Sequence, residues 1–322
     1  MFFLKDNFPK YNMPKYDVLV AGEINPDLIL AGNVVPEFGQ VEKLVDSAAL
    51  TIGSSSAIFA CGAARLGLKV AFIGVCGEDV FGKFMLDEMS KRKVDIENVI
   101  VAPSGSTGLS VILNQASDRA ILTHPGLIAE LQASHISDAL LHNSRHLHVA
   151  SYFLQTKLQP DLPNLFRRAH SLGLTTSLDI NYDPSEKWTG FDELLSVTNV
   201  FLPNEREAVS LSGASNVEEA GSRLGSKVEA LVIKLGAEGA LGVCAGARVR
   251  VASIPVSVVD TVGAGDSFDA GFIYGYLNQW RMEKNLRLAC ICGALSTQQA
   301  GGTNGQPTLA EAEKFLVEPA TD

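Results

Sequence analysis

The chain has 322 residues, 46% of them hydrophobic and 19% charged, and a formal net charge of −10. This length allows one large folded domain, and the acidic balance with no block of basic residues argues against a nucleic-acid partner. The five cysteines form no CxxC pair and lie mostly in apolar segments. That usage predicts reduced, buried thiols in a cytoplasmic protein. No apolar stretch has the length of a signal peptide or a membrane span, so we expect no membrane partner.

Strand-like and helix-like segments alternate along most of the chain, after a polar, proline-containing extension over residues 1–15. Strands are predicted over 16–22, 69–75, 146–150, 175–180, 200–203 and 230–235, and a further β-rich, strand-like run covers 249–259. Helices are predicted over 54–66, 80–92, 160–172, 205–211, 217–225 and 267–277. This alternation favours an α/β fold with a mostly parallel central sheet flanked by helices. Ligands of such sheets bind beyond the carboxyl ends of the strands.

Two segments, 27–50 and 99–123, break the alternation because they are strand-like and have no crossover helix. The second holds two β-type runs, 108–113 and 119–123, joined by a turn-like stretch. We expect these segments to form a small accessory β-sheet that acts as a lid over the ligand site. An open sheet has unpaired edges, and dimerisation would cover them, so a homodimer is expected.

The most informative stretch is 260–268, DTVGAGDSF, which lies between a β-rich run and an apolar helical pattern. A turn of small residues at a helix N-terminus leaves backbone N–H groups unpaired at the positive end of the helix dipole, which suits an anion. Asp266 lies inside this turn and would repel that anion. An acid in this place is useful if it takes a proton from a group that attacks a phosphate. Taken alone, the motif would favour an ordinary N-capping aspartate.

Three other patterns resemble known binding motifs but lack residues that those motifs require. Residues 77–84 fit G-x4-G-K, but Phe84 replaces the hydroxyl residue of a P-loop, and two acids precede the lysine. The glycines at 263 and 265 do not complete GxGxxG, so a dinucleotide fingerprint is absent. His142, His146 and His148 lie close together without a consistent face or a further ligand, which favours a polar element boundary over a zinc site.

The chain resembles the ribokinase-like carbohydrate kinases, also called the phosphofructokinase-B type, from about residue 16 to residue 308. The 260–266 stretch with Phe268 and Gly271 is similar to the C-terminal signature of that family. A weaker similarity begins at Gly53 and Ser54 and runs to Gly82. Two departures concern the sugar pocket, because the family usually has glycine at Ser54 and a sugar-contacting asparagine at Ile58.

The resemblance implies the residues of a sugar site and a nucleotide site. The implied substrate-binding residues are Asn25, Asp27, Gly53, Ser54, Asp179, Asn181 and Asp266. The implied nucleotide-binding residues are Asn204, Glu207, Lys234, Gly236, Gly239, Thr261, Gly263, Gly265 and Asn304.

The resemblance also implies a reaction, the ATP-dependent phosphorylation of a hydroxyl on a small sugar or sugar-like substrate. Asp266 would be the base, and the backbone N–H groups of Ala264, Gly265 and Asp266 would hold the charge that develops on the phosphoryl group. Gly263, in the same turn, is a further catalytic position. Mg²⁺ would be held through waters by Asn204 and Glu207. The resemblance places K⁺ beside Asp260; the alternative is an aspartate that caps its own loop.

Other functions remain open at this point. A nucleoside kinase of the same fold and a non-catalytic sensor of sugars or nucleosides both fit the pattern, whereas a dehydrogenase lacks its fingerprint. Related kinases of sugar acids commonly carry an arginine where Asp183 stands. An aspartate facing the substrate would repel a carboxylate, so we expect a neutral substrate unless Arg119 of the lid supplies the cation. The alternative is that Asp183 is a turn residue that points to solvent, since Asp-Pro favours turns.

Overall fold

The computed structural model describes residues 14–115, 118–183 and 185–316. Most of the expected N-terminal extension, the tip of the turn at 116–117 and Pro184 lie outside these residues. The strands are β1 Tyr16–Ala21, β2 Pro26–Ala31, β3 Ser47–Ile52, β4 Val70–Ile73, β5 Val75–Gly77, β6 Val94–Asp95, β7 Ile100–Ala102, β8 Leu109–Gln115, β9 Asp118–His124, β10 Ser144–Val149, β11 Thr175–Leu178, β12 Val200–Phe201, β13 Ala230–Lys234, β14 Ala240–Cys244 and β15 Ala247–Val251. The helices are α1 Ser55–Arg65, α2 Val80–Lys91, α3 Asp138–His142, α4 Leu162–Ser171, α5 Asp192–Leu195, α6 Glu205–Ser212, α7 Val217–Gly225, α8 Ala264–Leu277, α9 Met282–Ser296 and α10 Leu309–Leu316.

Nine of the described strands form the central sheet, in the order β15-β14-β13-β12-β11-β10-β1-β4-β6. The seven neighbouring strands β13, β12, β11, β10, β1, β4 and β6 are parallel. Strands β14 and β15 add an antiparallel edge next to β13. The chain leaves β1 in one direction to reach β4 and later returns to the other side of β1 to form β10. This reversal makes a crevice at the carboxyl ends of β1 and β10, where ligands bind in sheets of this type.

Both faces of the central sheet are buried under helices. Along β1, Val18 and Val20 belong to one apolar core, which α1, α8 and α9 cover, while Leu19 and Ala21 belong to the opposite core, which α4 covers. Successive side chains of a strand point to opposite faces, so a strand covered on both sides reads as a continuous apolar run. The central sheet is therefore held rigidly between two helical layers, with its carboxyl edge free to carry a site.

A separate four-stranded sheet, β3-β2-β8-β9, forms the lid. Strand β2 pairs antiparallel with β3 and parallel with β8, and β8 pairs antiparallel with β9. The expected lid segment 99–123 differs in one respect. Strand β7 pairs with β5 in a ribbon of its own, so this segment enters the lid only at Leu109.

Two other expectations about local structure are wrong. Helix α8 begins at Ala264, not at residue 267, so the small-residue turn forms the first turn of the helix itself. The run predicted as a strand over 249–259 is a strand only to Val251 and continues as an irregular segment. That segment borders a cleft described below, which an extended strand in the sheet would not do.

The histidines at 146 and 148 do not mark a polar boundary, as the sequence suggested. Both lie inside β10 and are fully buried. Both rings lie within hydrogen-bond distance, 2.7 Å, of Ser177 on β11, and the His148 ring stacks on Phe59 at 3.6 Å between centroids. Burial lowers the pKa of both rings, to about 3 for His148. They are neutral core residues, and no metal-sized cluster among the described residues includes them.

None of the described helices combines the length and the apolar character that a bilayer crossing requires.

Candidate active site

A cleft of about 760 Å³ separates the carboxyl edge of the central sheet from the lid. Its floor is formed by residues that follow parallel strands and by the start of α8. A second cleft of about 540 Å³ adjoins it and shares Lys234, Gly236, Thr261 and Gly265 with the first. Two ligands could therefore meet at the N-terminus of α8, one from each cleft.

The N-terminus of α8 faces this junction. Gly263 caps the helix in the left-handed region at φ 72°. The Ala264 N–H donates to the Thr261 carbonyl at 3.3 Å, but no hydrogen-bond partner is found for the Gly265 and Asp266 N–H groups in the described part of the chain. Unpaired N–H groups at the positive end of a helix attract an anion, and both clefts open onto Gly265.

The Asp266 carboxyl lies at this same N-terminus and is 8% exposed. Burial, assisted by the negative charge of Asp179, raises its pKa to about 8. A carboxyl group with a pKa near neutrality can gain and lose a proton easily, which suits a general base. Asp266 is the third residue of α8 and not its N-cap, so the capping interpretation of this residue is wrong.

A half-buried ammonium group neutralises part of this acidity. Lys234 Nζ, at the end of β13, lies 2.8 Å from Asp179 Oδ2 and 3.0 Å from Asp269 Oδ2. Burial alone would lower the pKa of Lys234, but these two carboxyl groups raise it. Lys234 therefore stays charged, and its attraction lowers the pKa of Asp179 despite the burial of that acid.

The floor of the cleft is a network of hydroxyl and carboxyl groups around Glu23, which follows β1. Ser56 and Ser151 donate to the Glu23 carboxylate at 2.6 and 2.8 Å. Asn181 Nδ2 lies 2.7 Å from Ser55 Oγ and 2.8 Å from Ser151 Oγ. The network joins residues that follow β1, β10 and β11 to the start of α1.

Three residues of this floor have positive φ although none is glycine: Ser54 at 66°, Ser151 at 51° and Asn181 at 55°. Such conformations are costly and persist where surrounding contacts hold them, which is common at functional sites. Ser54 is held by its bond to the Glu23 carbonyl and by the Ala57 N–H that it caps. The usual family glycine at this position is thus replaced by a strained, hydrogen-bonded serine.

The inner face of the lid is arranged in rows across its strands. The register places Asp27 beside Ser110 and Thr123 in a polar row, and the next row holds Ile112 and Ile121. All five line the cleft, as does Arg119 at the outer end of β9. Burial raises the pKa of Asp27 to about 7, although the charge of Arg119 opposes the shift. The lid thus offers hydrogen bonds near the floor and an apolar wall further out.

The side chains of Asn204 and Glu207 cap α6 and line the cleft. Each bonds the backbone N–H of the other at 2.9 Å, and Asn204 Nδ2 lies 2.6 Å from Glu207 Oε1. Burial, with the nearby charge of Asp179, raises the pKa of Glu207 to about 7. The pair thus forms a capping box at the start of α6, and this structural role does not exclude a role toward a ligand.

The second cleft has apolar walls. Ile254, Pro255, Val256 and Phe268 line it, together with Gly239 and Ala264. Backbone and small side chains with few polar groups are typical of a site for a flat, mostly apolar ligand group. Of the residues expected to bind a nucleotide, Lys234, Gly236, Gly239, Thr261 and Gly265 border this cleft.

Three of the expected site residues do not line either cleft. Gly53 lies behind the first cleft, where its backbone closely approaches Asp27. Asn304 donates to the Ala300 carbonyl in its own turn, at 2.8 Å. Asp260 accepts from the N–H groups of Val262 and Gly301, at 3.0 and 2.9 Å, and so ties two loops together.

The expected contact between Asp183 and the substrate is wrong. The Asp183 carboxylate is 3% exposed and accepts hydrogen bonds from Ser185 and from the N–H groups of Lys187 and Trp188. Because all of its acceptor capacity goes to its own turn, this residue does not determine the charge of a substrate. Arg119 is the basic group of the lid that does line the cleft.

Sequence reasoning missed five polar residues at or behind the floor and on the lid. They are Glu23, Ser55, Ser110, Ser151 and Asp269. The serines show no distinctive spacing in the sequence, and Glu23, two residues before Asn25, was not predicted as a site residue. One signal was available: Asp269 lies three residues after Asp266, hence on the same side of α8.

Comparisons with known proteins agree with this architecture. A family model described as pfkB family carbohydrate kinase matches residues 15–309. The chain belongs to the pfkB family of carbohydrate kinases. The resemblance inferred from the 260–266 stretch is thereby confirmed, together with the expected kinase class and the ribokinase-like fold.

Individual pfkB relatives are similar over nearly their whole length. An ATP-dependent ribose-1-phosphate kinase of Halopiger xanaduensis is 30% identical over 306 residues, 94% of this chain and 98% of that protein. A ribokinase of Haemophilus influenzae is 27% identical, over 92% and 97% of the two chains. A solved structure of Arabidopsis thaliana ribokinase with ribose and ATP is 22% identical to this chain and has a TM-score of 0.84. The match covers 95% of this chain and 100% of that one. At that identity the structure shows the shared fold.

The two glycines of the α8 turn should respond differently to alanine. At Gly263 the added Cβ would lie 2.7 Å from the Gly302 carbonyl oxygen, at positive φ, so we expect a loss of about 1–3 kcal/mol in unfolding free energy. At Gly265 the nearest atom would be Lys234 Nζ at 3.6 Å, an ordinary contact. Gly265→Ala should therefore change stability by less than about 1 kcal/mol but lower turnover by about 10²-fold, because its methyl group covers the N–H groups.

Urea unfolding and steady-state turnover of both variants measure these effects. Wild-type turnover in a stable Gly265→Ala variant would contradict the anion-binding role of this turn.

Proposed function

We propose that this protein transfers the γ-phosphoryl group of ATP to a hydroxyl of a small sugar or sugar-like substrate. The observation that carries the proposal is the placement of Asp266, a buried carboxyl group of raised pKa at an anion-binding helix N-terminus, where two clefts meet. The polar cleft under the lid would take the sugar, and the apolar second cleft would take the adenine end of ATP. Similarity to pfkB relatives named as sugar kinases supports the assignment.

In this mechanism, Asp266 accepts the proton of the attacking hydroxyl. The N–H groups of Gly265 and Asp266 hold the negative charge that develops on the transferred phosphoryl group. Asn25, Asp27 and Ser110 would bind sugar hydroxyls from the lid side, and Asn181 from the floor. Closing the lid over the substrate would exclude water, which competes as a phosphoryl acceptor.

The residues at the cleft also fit a magnesium ion that arrives with ATP. The ion neutralises phosphate charge when it is bound, and Asn204 and Glu207 would hold its waters, since Mg²⁺ favours oxygen ligands and keeps part of its hydration. A solved structure of similar fold is described as a complex with ATP and Mg²⁺, which supports this assignment.

Incubation with ATP, Mg²⁺ and separate acceptors, with ADP release as readout, tests the proposal. Sugars, nucleosides and water alone form the three arms. Turnover with nucleosides only would favour the nucleoside kinase, and binding without turnover would favour the sensor.

Asp266→Asn should lower kcat by about 10²–10⁴-fold, the usual contribution of a general base, while ATP binding is retained. Asp87→Asn, on the exposed side of α2, is the matched control and should retain wild-type kcat. A loss of less than about tenfold in Asp266→Asn would show that the carboxyl group is not the base.

A monovalent cation site beside Asp260 is part of the same proposal. The Asp260 carboxylate is held in place by two backbone N–H groups, and each oxygen retains a lone pair for a cation. We expect kinase turnover to be higher in K⁺ than in Na⁺ or tetramethylammonium at equal ionic strength. Equal turnover in the three salts would leave Asp260 as a loop-capping residue.

We further propose that the protein is a cytoplasmic homodimer that acts without a nucleic-acid or membrane partner. Burial raises the pKa of the Cys61 thiol to about 12 and that of Cys76 to about 11, which suits thiols that stay reduced. The proposed dimer contact is the lid patch, an exposed apolar surface of Val35, Phe38, Val41, Leu44 and Leu50. Leu50 lies on β3, an edge strand of the lid, and the other four residues lie in the loop between β2 and β3.

The lid patch is exposed enough to test directly, since Phe38 and Leu44 are 98% and 83% exposed. Analytical sedimentation of the wild type should give twice the chain mass of 34.3 kDa. The double variant Phe38→Ser with Leu44→Ser should give the mass of a monomer. Val80→Ser removes an exposed apolar residue outside the lid and should leave the dimer intact. A monomeric wild type at micromolar concentration would contradict the proposal.

A further inference from the structure

Lys234 is half-buried between acidic side chains next to the proposed base. Its ammonium bonds Asp179 and Asp269 at 2.8 and 3.0 Å, and these two carboxyl groups are 2% and 1% exposed. Two of its three N–H groups are thereby used. The same ammonium would lie 3.6 Å from a Cβ placed on Gly265, so it reaches the turn that carries Asp266.

The acids outnumber the cations at this point. Oxygens of Asp179, Asp266 and Asp269 lie within 4.8 Å of one another, and all three residues are buried. Three carboxylates this close cannot all be ionised around one ammonium. The charged or titratable groups that act on these acids from the surrounding elements are Glu23 after β1, His148 on β10, Glu207 on α6 and Lys234 at the end of β13.

Asp269 is the acid that retains its proton. Its Oδ1 is buried and has no hydrogen-bond partner within the described residues. An ionised oxygen in that position would be costly, whereas a protonated carboxyl group can donate toward Asp179. Burial accordingly raises the pKa of Asp269 well above its usual value, and Asp179 is the partner that stays ionised.

We propose that Lys234 is a positioning residue for phosphoryl transfer, whose ammonium, fixed between Asp179 and Asp269, supplies the positive charge that lets Asp266 ionise and act as base. This inference rests on the proposed function. It goes beyond a nucleotide contact, because Lys234 acts here through the proton affinity of Asp266. The Asp269 carboxyl group holds the ammonium in place as a neutral acid.

The pH dependence of kcat/KM tests the proposal, because its acid limb reports the base of the free enzyme. Activity is gained as the pH rises through the Asp266 pKa, since the ionised form is the base. Lys234→Met removes the attraction and should move the acid limb up by about one to three pH units. Asp179→Asn removes a repulsion and should move it down. Asp269→Asn replaces a neutral acid by a neutral amide, so the limb should stay in place.

The double variant Lys234→Met with Asp179→Asn removes one charge of each sign and should return the limb close to the wild-type position. If Lys234→Met alone fails to fold, the double variant, which leaves no unpaired charge, is compared with Asp179→Asn instead. The difference between their acid limbs then measures the effect of Lys234. An unmoved limb in Lys234→Met, with only a higher KM for ATP, would overturn the proposal in favour of a plain phosphate contact. A downward shift in Asp269→Asn would overturn the assignment of the proton to Asp269.

A second readout separates this inference from the kinase assignment. The Asp266 carboxyl carbon can be titrated by ¹³C NMR without any substrate, its signal being identified by its loss in Asp266→Asn. The same upward and downward shifts are expected there. If they occur and no acceptor is phosphorylated, the proposed function fails while the role of Lys234 on Asp266 stands. If they do not occur, the role of Lys234 is overturned whether or not the protein is a kinase.

Discussion

The contact of the Lys234 ammonium with Asp179 and Asp269 joins three parts of the molecule. Lys234 ends β13, Asp179 follows β11, and Asp269 lies in the first turns of α8. Without this cation, the carboxyl groups at the carboxyl edge of the sheet would repel one another and the start of α8. Taking one member of a buried charge pair away is strongly destabilising in general, by about 3–5 kcal/mol, because it leaves a buried charge without a partner. The acidity of the site and the position of α8 thus depend on the same contact.

The floor of the cleft shows how the fold stabilises conformations that the chain would not adopt alone. Ser54, Ser151 and Asn181 have positive φ, and each is held by hydrogen bonds in the network around Glu23. The residues come from three separate stretches of chain. A change in any one of them would therefore disturb the hydrogen bonds that hold the others.

The inner face of the lid and its exposed loop differ in the residues that they present. Its inner face carries a polar row beside the floor and an apolar row further out, while the loop between β2 and β3 exposes large apolar side chains on the outside. A sheet of four strands with bare edges gains little stability by itself. Contact with a substrate on one side and with a second copy on the other would supply what the isolated lid lacks.

Periodicity along the chain was enough to predict the layered α/β architecture, since apolar strands and amphipathic helices are local patterns. It predicted helix α7 to the residue and most other elements within a few residues. The stretch 260–266 also indicated Asp266 and the anion-binding turn, through its similarity to the C-terminal signature of the family and not through the glycines alone. The turn that encloses Asp183 is also local, since its bonds come from residues 185–188. By contrast, the start of α8 at Ala264 depends on contacts that no local pattern encodes. The same holds for the pairing of β7 with β5, for the burial of His146 and His148, and for the meeting of Asp179, Lys234 and Asp269, which are up to 90 residues apart in sequence. Only the tertiary structure decides such features, because the pKa of a carboxyl group and the partner of a charge are set by what the fold brings within a few ångströms.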